Sequence, residues 1–276
     1  MRFSVPVEIA ARMVVSVASI GIMINALEFI VSRTQITEFF DWAILRTKHV
    51  WWYRNDKLTL FDWLFKPSIF TTLLVLQACA ALTAPVVFRH RLLLLSCCSL
   101  VLGIHLLTHF RFIYGFDGAD QMQTVIWASL LIYNLADSAR LRSGAIAFIC
   151  AQFVLCYFTS GMAKLISPVW RGGRAVGLII ATESYGSQSA FQAVQRLRLS
   201  PFLSWSTIVL EVGGPFLVFL GPKPTVVFLV CSLAFHVGIA VVMGLNTFVW
   251  AFVATFPAVY CVSQWMHVTK WLSTRL

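Results

Sequence analysis

The sequence predicts an all-α, polytopic integral membrane protein built as a single domain over residues 1–276. Three observations predict it. Hydrophobic residues make up 59% of the chain and charged residues 12%, with a mean hydropathy of +0.82. That composition belongs to membrane proteins rather than soluble globules, and no second compositional regime marks a domain boundary. About eight apolar runs, each roughly 17–24 residues long, can cross ~30 Å of hydrocarbon. The lysines and arginines sit mostly between those runs, where positive charge sets topology and meets anionic headgroups. The net charge of +10 therefore points to the lipid bilayer as partner, not to nucleic acid.

The expected spans are 9–31, 69–88, 91–110, 121–137, 143–166, 202–221, 223–244 and 247–267. The first is too long for a signal-peptide core and lacks a small-residue cleavage pattern, so it reads as a retained span. The second and third are parted by Arg89-His90. The fourth is short and ends at Asp137. The fifth carries Lys164 and breaks at Pro168. The sixth and seventh are joined by Gly221-Pro222-Lys223-Pro224, whose prolines cannot continue a helix.

The two long connections, 32–68 and 167–201, are too apolar and aromatic for disordered linkers. The first mixes Phe39, Phe40, Trp42, Trp51, Trp52, Tyr53, Trp63 and Phe65 with charges. Such segments suit interfacial helices at headgroup level. The seven cysteines, Cys79, Cys97, Cys98, Cys150, Cys156, Cys231 and Cys261, all lie in apolar runs. None belongs to a CxxC, and they read as small hydrophobes.

Short, dense basic clusters (Arg89 and Arg91, Arg140 and Arg142, Lys223) share a side with both termini, which predicts cytoplasmic termini and two long connections facing outward. On that topology Glu28, His105, His109, Asp117, Asp120, Lys164, Glu211 and His236 gather in the outer half of the bilayer. Glu211 lies about nine residues into its span, or ~14 Å deep. Clustered ionisable residues in a membrane suggest a polar cavity open to the outside.

Lys164 is the leading candidate. Lysine at a helix centre costs ~2.5–3.5 kcal/mol, less near an interface, where its stem can snorkel. It reads either as a lipid-neutralising lysine or as an amine desolvated in a pocket so that it can act as a base. Tyr157, Ser160, Gly161, Lys164 and Pro168 share a helical face, and Ser160 and Gly161 permit close approach of a helix or flat ligand. Glu211, mid-span before Gly213-Gly214-Pro215, must be protonated, paired or wet, and Lys164 and His236 are its natural partners. His105 and His109 have the i, i+4 spacing of metal ligands, but the Glu of an HExxH motif is absent, and they read as interfacial polar packing. No metal is expected. His236 reads equally as a hydrogen-bonded core histidine. No P-loop, GxGxxG, GxSxG or EF-hand is present.

Four stretches resemble the HTTM family (horizontally transferred transmembrane domain), which is related to vitamin K-dependent γ-glutamyl carboxylase. They are FDGADQMQTVIWASLL at 116–131, YFTSGMAKLISPVW at 157–170, SWSTIVLEVGGPFL at 204–217 and FHVGIAVVMGLNTFVWAFVATFPA at 235–258. Size and the segment Asp117-Gly118-Ala119-Asp120-Gln121 also resemble the SdpB-like bacterial branch, which is associated with maturation of a secreted antimicrobial peptide. The resemblance implies a bacterial inner-membrane enzyme with Lys164 as the base that deprotonates a reduced, vitamin K-like quinone, and Glu211 and His236 lining the same cavity. Tyr157, Ser160, Gly161 and Trp170 become cofactor-side candidates. Asp117, Asp120 and Gln121 become candidates for binding a small secreted peptide, and an accessory maturation protein is a possible partner.

The chain departs from the carboxylase in two expected features. No large exterior domain is expected after the last span, and no histidine lies near Asp117–Gln121. Quinol-linked oxidation or peptide processing is therefore expected over carboxylation. Two other classes stay open: a non-catalytic membrane factor for export, maturation or immunity, and a metal or haem redox protein using His105 and His109.

Overall fold

The computed structural model describes residues 6–32, 42, 59–112, 117–182 and 185–273. Among them there are helices and turns and no strand. Each expected span is helical: α1 (Val7–Val31), α3 (Pro67–Val86), α4 (Arg91–Arg111), α5 (Gly118–Leu135), α6 (Ala139–Ile166), α10 (Ser200–Phe219), α11 (Pro222–Met243), and the pair α12 (Asn246–Val253) and α13 (Phe256–Ser273). Shorter helices fill the connections: α2 (Thr59–Leu64), α7 (Pro168–Arg171), α8 (Ala175–Ile180) and α9 (Gln188–Arg196).

Six of these segments are long and apolar enough to cross a membrane: α1, α4, α6, α10, α11 and the run Asn246–His267. The chain is thus an all-α integral membrane protein. Helices α3 and α5 fall outside that group, α3 because its apolar part is Pro67–Thr83. Helix α5 is 18 residues long and carries Asp120, Gln121, Gln123 and Asn134, which lower its hydropathy.

Helix ends follow local rules. Proline stands in the first turn of α3, α7, α10 and α11, where its missing N–H costs nothing. Ser138 caps α6 by accepting from Leu141 N, and Ser187 caps α9 by accepting from Ala190 N. Arg91 closes the far end of α5, donating to the carbonyls of Asn134 (2.9 Å) and Leu135 (3.0 Å) and to Asp137 (2.8 Å). A cation at a helix C-terminus satisfies orphan carbonyls and opposes the macrodipole.

The eighth expected span is broken, not continuous. It turns at Ala254-Thr255, where Pro257 opens α13 and its ring excludes an uninterrupted ladder back to Val253. Thr255 donates its hydroxyl to Phe252 O at 2.6 Å and seals the break. Helix α10, by contrast, runs unbroken through Pro215.

Helix association in lipid depends on close fit, because lipid tails are as apolar as leucine. Helix α1 buries Ala10, Ala11, Ala18 and Gly21, and it packs most extensively on α3, which buries Ala80, Ala81 and Ala84. Helix α6 is central, packing on α5, α10 and α13. Its Phe153 is fully buried against Tyr157, Phe228, Phe252 and Phe256.

The described part of the first connection is a packed aromatic cluster. Trp42 is buried and donates to Asp62 at 2.7 Å, and Phe65 stacks edge-on to it. Buried Arg111 lies over Phe65, Phe70 and Phe112 and donates to Phe65 O at 2.8 Å. Among the described rings of this connection, only Trp63, 53% exposed, has the surface position expected of an interfacial ring. Phe39, Phe40, Trp51, Trp52 and Tyr53 lie outside the described residues.

The second connection forms three short helices: α7 and α8 pack on α10, and α9 packs on α8. Gly173 adopts φ +70°, and a Cβ there would lie 2.7 Å from Pro201 Cα, so the Arg171–Arg174 turn needs glycine. Ser200 pins the turn, donating to Gly173 O at 2.7 Å and accepting from Gly177 N at 3.0 Å.

Candidate active-site cavity

Helices α6, α7, α8, α10, α11 and α12 line a partly open cavity of about 470 Å³. Its walls include Tyr157, Ser160, Lys164, Trp170, Ile179, Thr207, Glu211, Phe235, His236, Phe248 and Phe252. The volume lies within the ~300–1,000 Å³ of small-molecule sites, and the mix of apolar walls with a few polar groups is also typical.

Two polar constellations face this space. In the first, Lys164 Nζ lies 2.6 Å from Glu211 Oε2 and 2.5 Å from Ser160 Oγ. Glu211 is only 5% exposed. The Lys164 Nζ also lies 5.3 Å from the centre of the Trp170 ring. The pair exists because α6 and α10 come unusually close. A Cβ on Gly161 would fall 2.8 Å from Glu211 C, Glu211 Cβ and Val212 N. Gly161 is thus the notch that receives the Glu211 backbone.

The second constellation is Tyr157–Ser232–His236. The Tyr157 hydroxyl lies 2.5 Å from Ser232 Oγ and 2.7 Å from His236 Nε2. His236 is buried, stacks on Phe252 and has no hydrogen-bond partner for Nδ1 among the described residues. One arrangement satisfies every other group: Ser232 donates to Tyr157, Tyr157 donates to Nε2, and Nδ1 carries the ring proton.

The sequence-derived candidates thus divide. Lys164, Glu211, His236, Tyr157, Ser160 and Trp170 come together around one cavity, with Gly161 behind the pair. Glu211 pairs with Lys164, whereas His236 bonds to Tyr157 instead of the carboxylate. Asp117, Asp120 and Gln121 lie elsewhere, at the start of α5. Asp117 accepts from the main-chain N–H of Ala119 and Asp120, and Asp120 Oδ2 accepts in return from Asp117 N at 3.4 Å. That is a reciprocal capping box. Gln121 is exposed. Phe248 stands where the two regions meet: it lines the cavity and lies within 3.7 Å of a Cβ built on Gly118. No histidine adjoins 117–121 in sequence, yet the fold brings His105 and His109 to Asp120.

Sequence reasoning missed Ser232, Phe248 and Phe252. Ser232 precedes His236 by four residues, and Phe248 and Phe252 are also four apart, so each pair shares a helical face. Replacing Tyr157 with Phe removes the hydroxyl that joins Ser232 to His236. Two buried polar groups then lose a partner, at about 1–3 kcal/mol. We expect a lower melting temperature in detergent, and a smaller further loss when Ser232→Ala is added to Tyr157→Phe than Ser232→Ala gives alone.

Compared with known proteins, the chain matches no family model, no curated protein and no solved structure.

Proposed function

We propose that the chain is a membrane-embedded enzyme of the vitamin K carboxylase-like, HTTM type, in the SdpB-like manner. In this reading it uses Lys164 as base with a quinol-type cofactor to modify or mature a small secreted peptide. It sits in the bacterial cytoplasmic membrane with both termini inside and the cavity opening outward. The observation that carries the reading is the Lys164–Glu211 pair at 2.6 Å in the wall of a mainly apolar cavity.

The residues present suit a flat, weakly polar ring. Aromatic and aliphatic walls accept its faces. The unpartnered His236 Nδ1 is a hydrogen-bonding position of the kind that a ligand satisfies. Lys164 and Ser160 offer polar contacts on another wall. When bound, a reduced quinone supplies an acidic hydroxyl and electrons for reaction with oxygen.

The chain's own contribution is control of a proton. The Lys164–Glu211 pair holds its proton either as ammonium and carboxylate or as amine and carboxylic acid. Only the second leaves Lys164 a lone pair with which to take a proton. A base step requires that second arrangement. Glu211 then stores the proton that Lys164 must be without. Tyr157, held by Ser232, fixes His236 in one tautomer and orientation.

The cavity also has a lateral lip. Ala234 and Gly238 line it and are exposed on α11, beside the exposed Val237 and Val241. A Cβ on Gly238 would meet nothing within 4 Å. A membrane-dissolved ligand can enter there. Gly238→Phe is expected to leave folding intact and raise KM for long-tailed quinols more than for tail-less ones. An equal effect on both would remove the lip from the entry route.

Mass spectrometry of a candidate secreted peptide, made with and without the protein, tests the peptide-modifying function. A protein-dependent mass change absent with Lys164→Ala supports it; about +44 Da marks carboxylation and about +16 Da oxygenation. An unchanged peptide whose export still depends on the protein contradicts catalysis and favours a non-catalytic export factor.

A further inference from the structure

At the end of the bundle where α4 finishes and α5 begins, His105, His109 and Asp120 converge. One ligating atom from each lies within 4.8 Å of the others. Metal ligands on a 2.0–2.2 Å shell sit ~3–3.5 Å apart, so small side-chain rotations close the set. The imidazoles come from one helical face, with ring centres 4.1 Å apart. The carboxylate comes from a different helix, which sequence spacing could not reveal.

Three further observations favour a cation here. First, Asp120 is largely covered, at 17% side-chain exposure, and no described lysine or arginine pairs with it. Its Oδ2 accepts from Asp117 N, while Oδ1 lies 3.4 Å from Asn25 Nδ2 and 4.0 Å from His109 Nε2. Among the described residues, this covered carboxylate has two imidazoles and no lysine or arginine beside it, a setting that a cation would complete. Second, His105 is 3% exposed, and its Nε2 lies 3.1 Å from Asp120 O. Metal-bearing imidazoles characteristically make this kind of contact through the nitrogen that does not ligate. Third, the capping box fixes Asp120 from behind, and Asn25 of α1 holds it from the side, so the carboxylate is oriented before any ion arrives.

We propose that His105, His109 and Asp120 form a binding site for one divalent first-row transition metal ion, of the zinc or iron(II) type. The two-imidazole, one-carboxylate donor set suits those ions and does not suit calcium or magnesium. The site is separate from the Lys164 cavity and does not depend on the function proposed for it. A bound ion ties α4 to α5, with Asn25 of α1 as an outer contact.

The test uses the full-length protein, purified in detergent without a polyhistidine tag, stripped with chelator and titrated with Co²⁺. We expect visible ligand-field bands that saturate at about one equivalent per chain. His109→Ala and Asp120→Ala should each weaken that binding by more than about 10–100-fold, the range seen when only outer contacts are lost. His267→Ala, at a distant histidine, should leave it unchanged. X-ray absorption of the loaded wild type should show two imidazoles and an oxygen donor, which decides the matter even where a variant fails to fold. The proposal is overturned by absence of a saturable site, by binding that survives both ligand substitutions, or by a first shell without two imidazoles.

Discussion

Lys164→Ala is expected to abolish quinol-dependent turnover while the protein still inserts and purifies as a monodisperse species. Loss of a positioned base removes about 10²–10⁴-fold in rate. Folding should survive because the group left behind has an escape. Glu211 is buried, and a buried carboxylate without its partner takes up a proton and becomes neutral. Glu211→Gln is the informative companion. It keeps the shape and a hydrogen bond to Lys164 but cannot store a proton, so it should also slow turnover. The double variant Lys164→Ala with Glu211→Gln should be no slower than Lys164→Ala alone, since the two residues act as one unit. Full turnover by Lys164→Ala would remove the lysine from the chemistry and leave the pair a purely structural device.

The second large effect belongs to a residue with no side chain. Gly161→Val should destabilise the bundle and disable the cavity together. The new Cβ would fall 2.8 Å from the backbone of Glu211 and Val212, and backbone cannot turn aside as a flexible side chain can. Overpacking a tight contact costs about 1–3 kcal/mol or more. Here it also drives α10 from α6 and stretches the 2.6 Å Lys164–Glu211 contact. Gly213→Ala is the control. It lies on the same helix as Glu211, and its Cβ meets nothing within 4 Å. Its stability should change by less than about 1 kcal/mol. Thermal unfolding followed by tryptophan fluorescence compares the two; equal effects would show that helix propensity, not the α6–α10 notch, governs Gly161.

Much of this arrangement is legible in the sequence, for a definable reason. A membrane makes every ionisable residue costly, so Lys164 and Glu211 stand out against apolar runs, and opposite charges at similar depth find each other. The i, i+3 and i+4 spacing of Tyr157, Ser160, Gly161 and Lys164 places them on one face before any fold is known. Depth and face do not, however, specify which helices are neighbours. His236 could be matched to Glu211 by depth, but its partner is Tyr157, because α11 meets α6 through the Ser232–His236 face. Asp120 looked like a cavity residue by depth as well. It instead faces α4 and α1, and so gathers His105, His109 and Asn25. The break in the eighth span is masked by apolar residues that run on through the turn at Ala254-Thr255, and Pro257 is the one sequence signal that marks it. Aromatic content likewise failed to separate interfacial from packed rings: Phe65, Phe70 and Phe112 pack on Arg111, and Trp42 packs edge-on to Phe65.

The most direct measurement is quinol oxidation by the purified protein in lipid nanodiscs, followed by absorbance and oxygen uptake with a reduced naphthoquinone as substrate. The account predicts protein-dependent oxidation that disappears with Lys164→Ala, falls with Glu211→Gln and persists with Gly213→Ala. Oxidation at the same rate with wild type, Lys164→Ala and empty nanodiscs would contradict it.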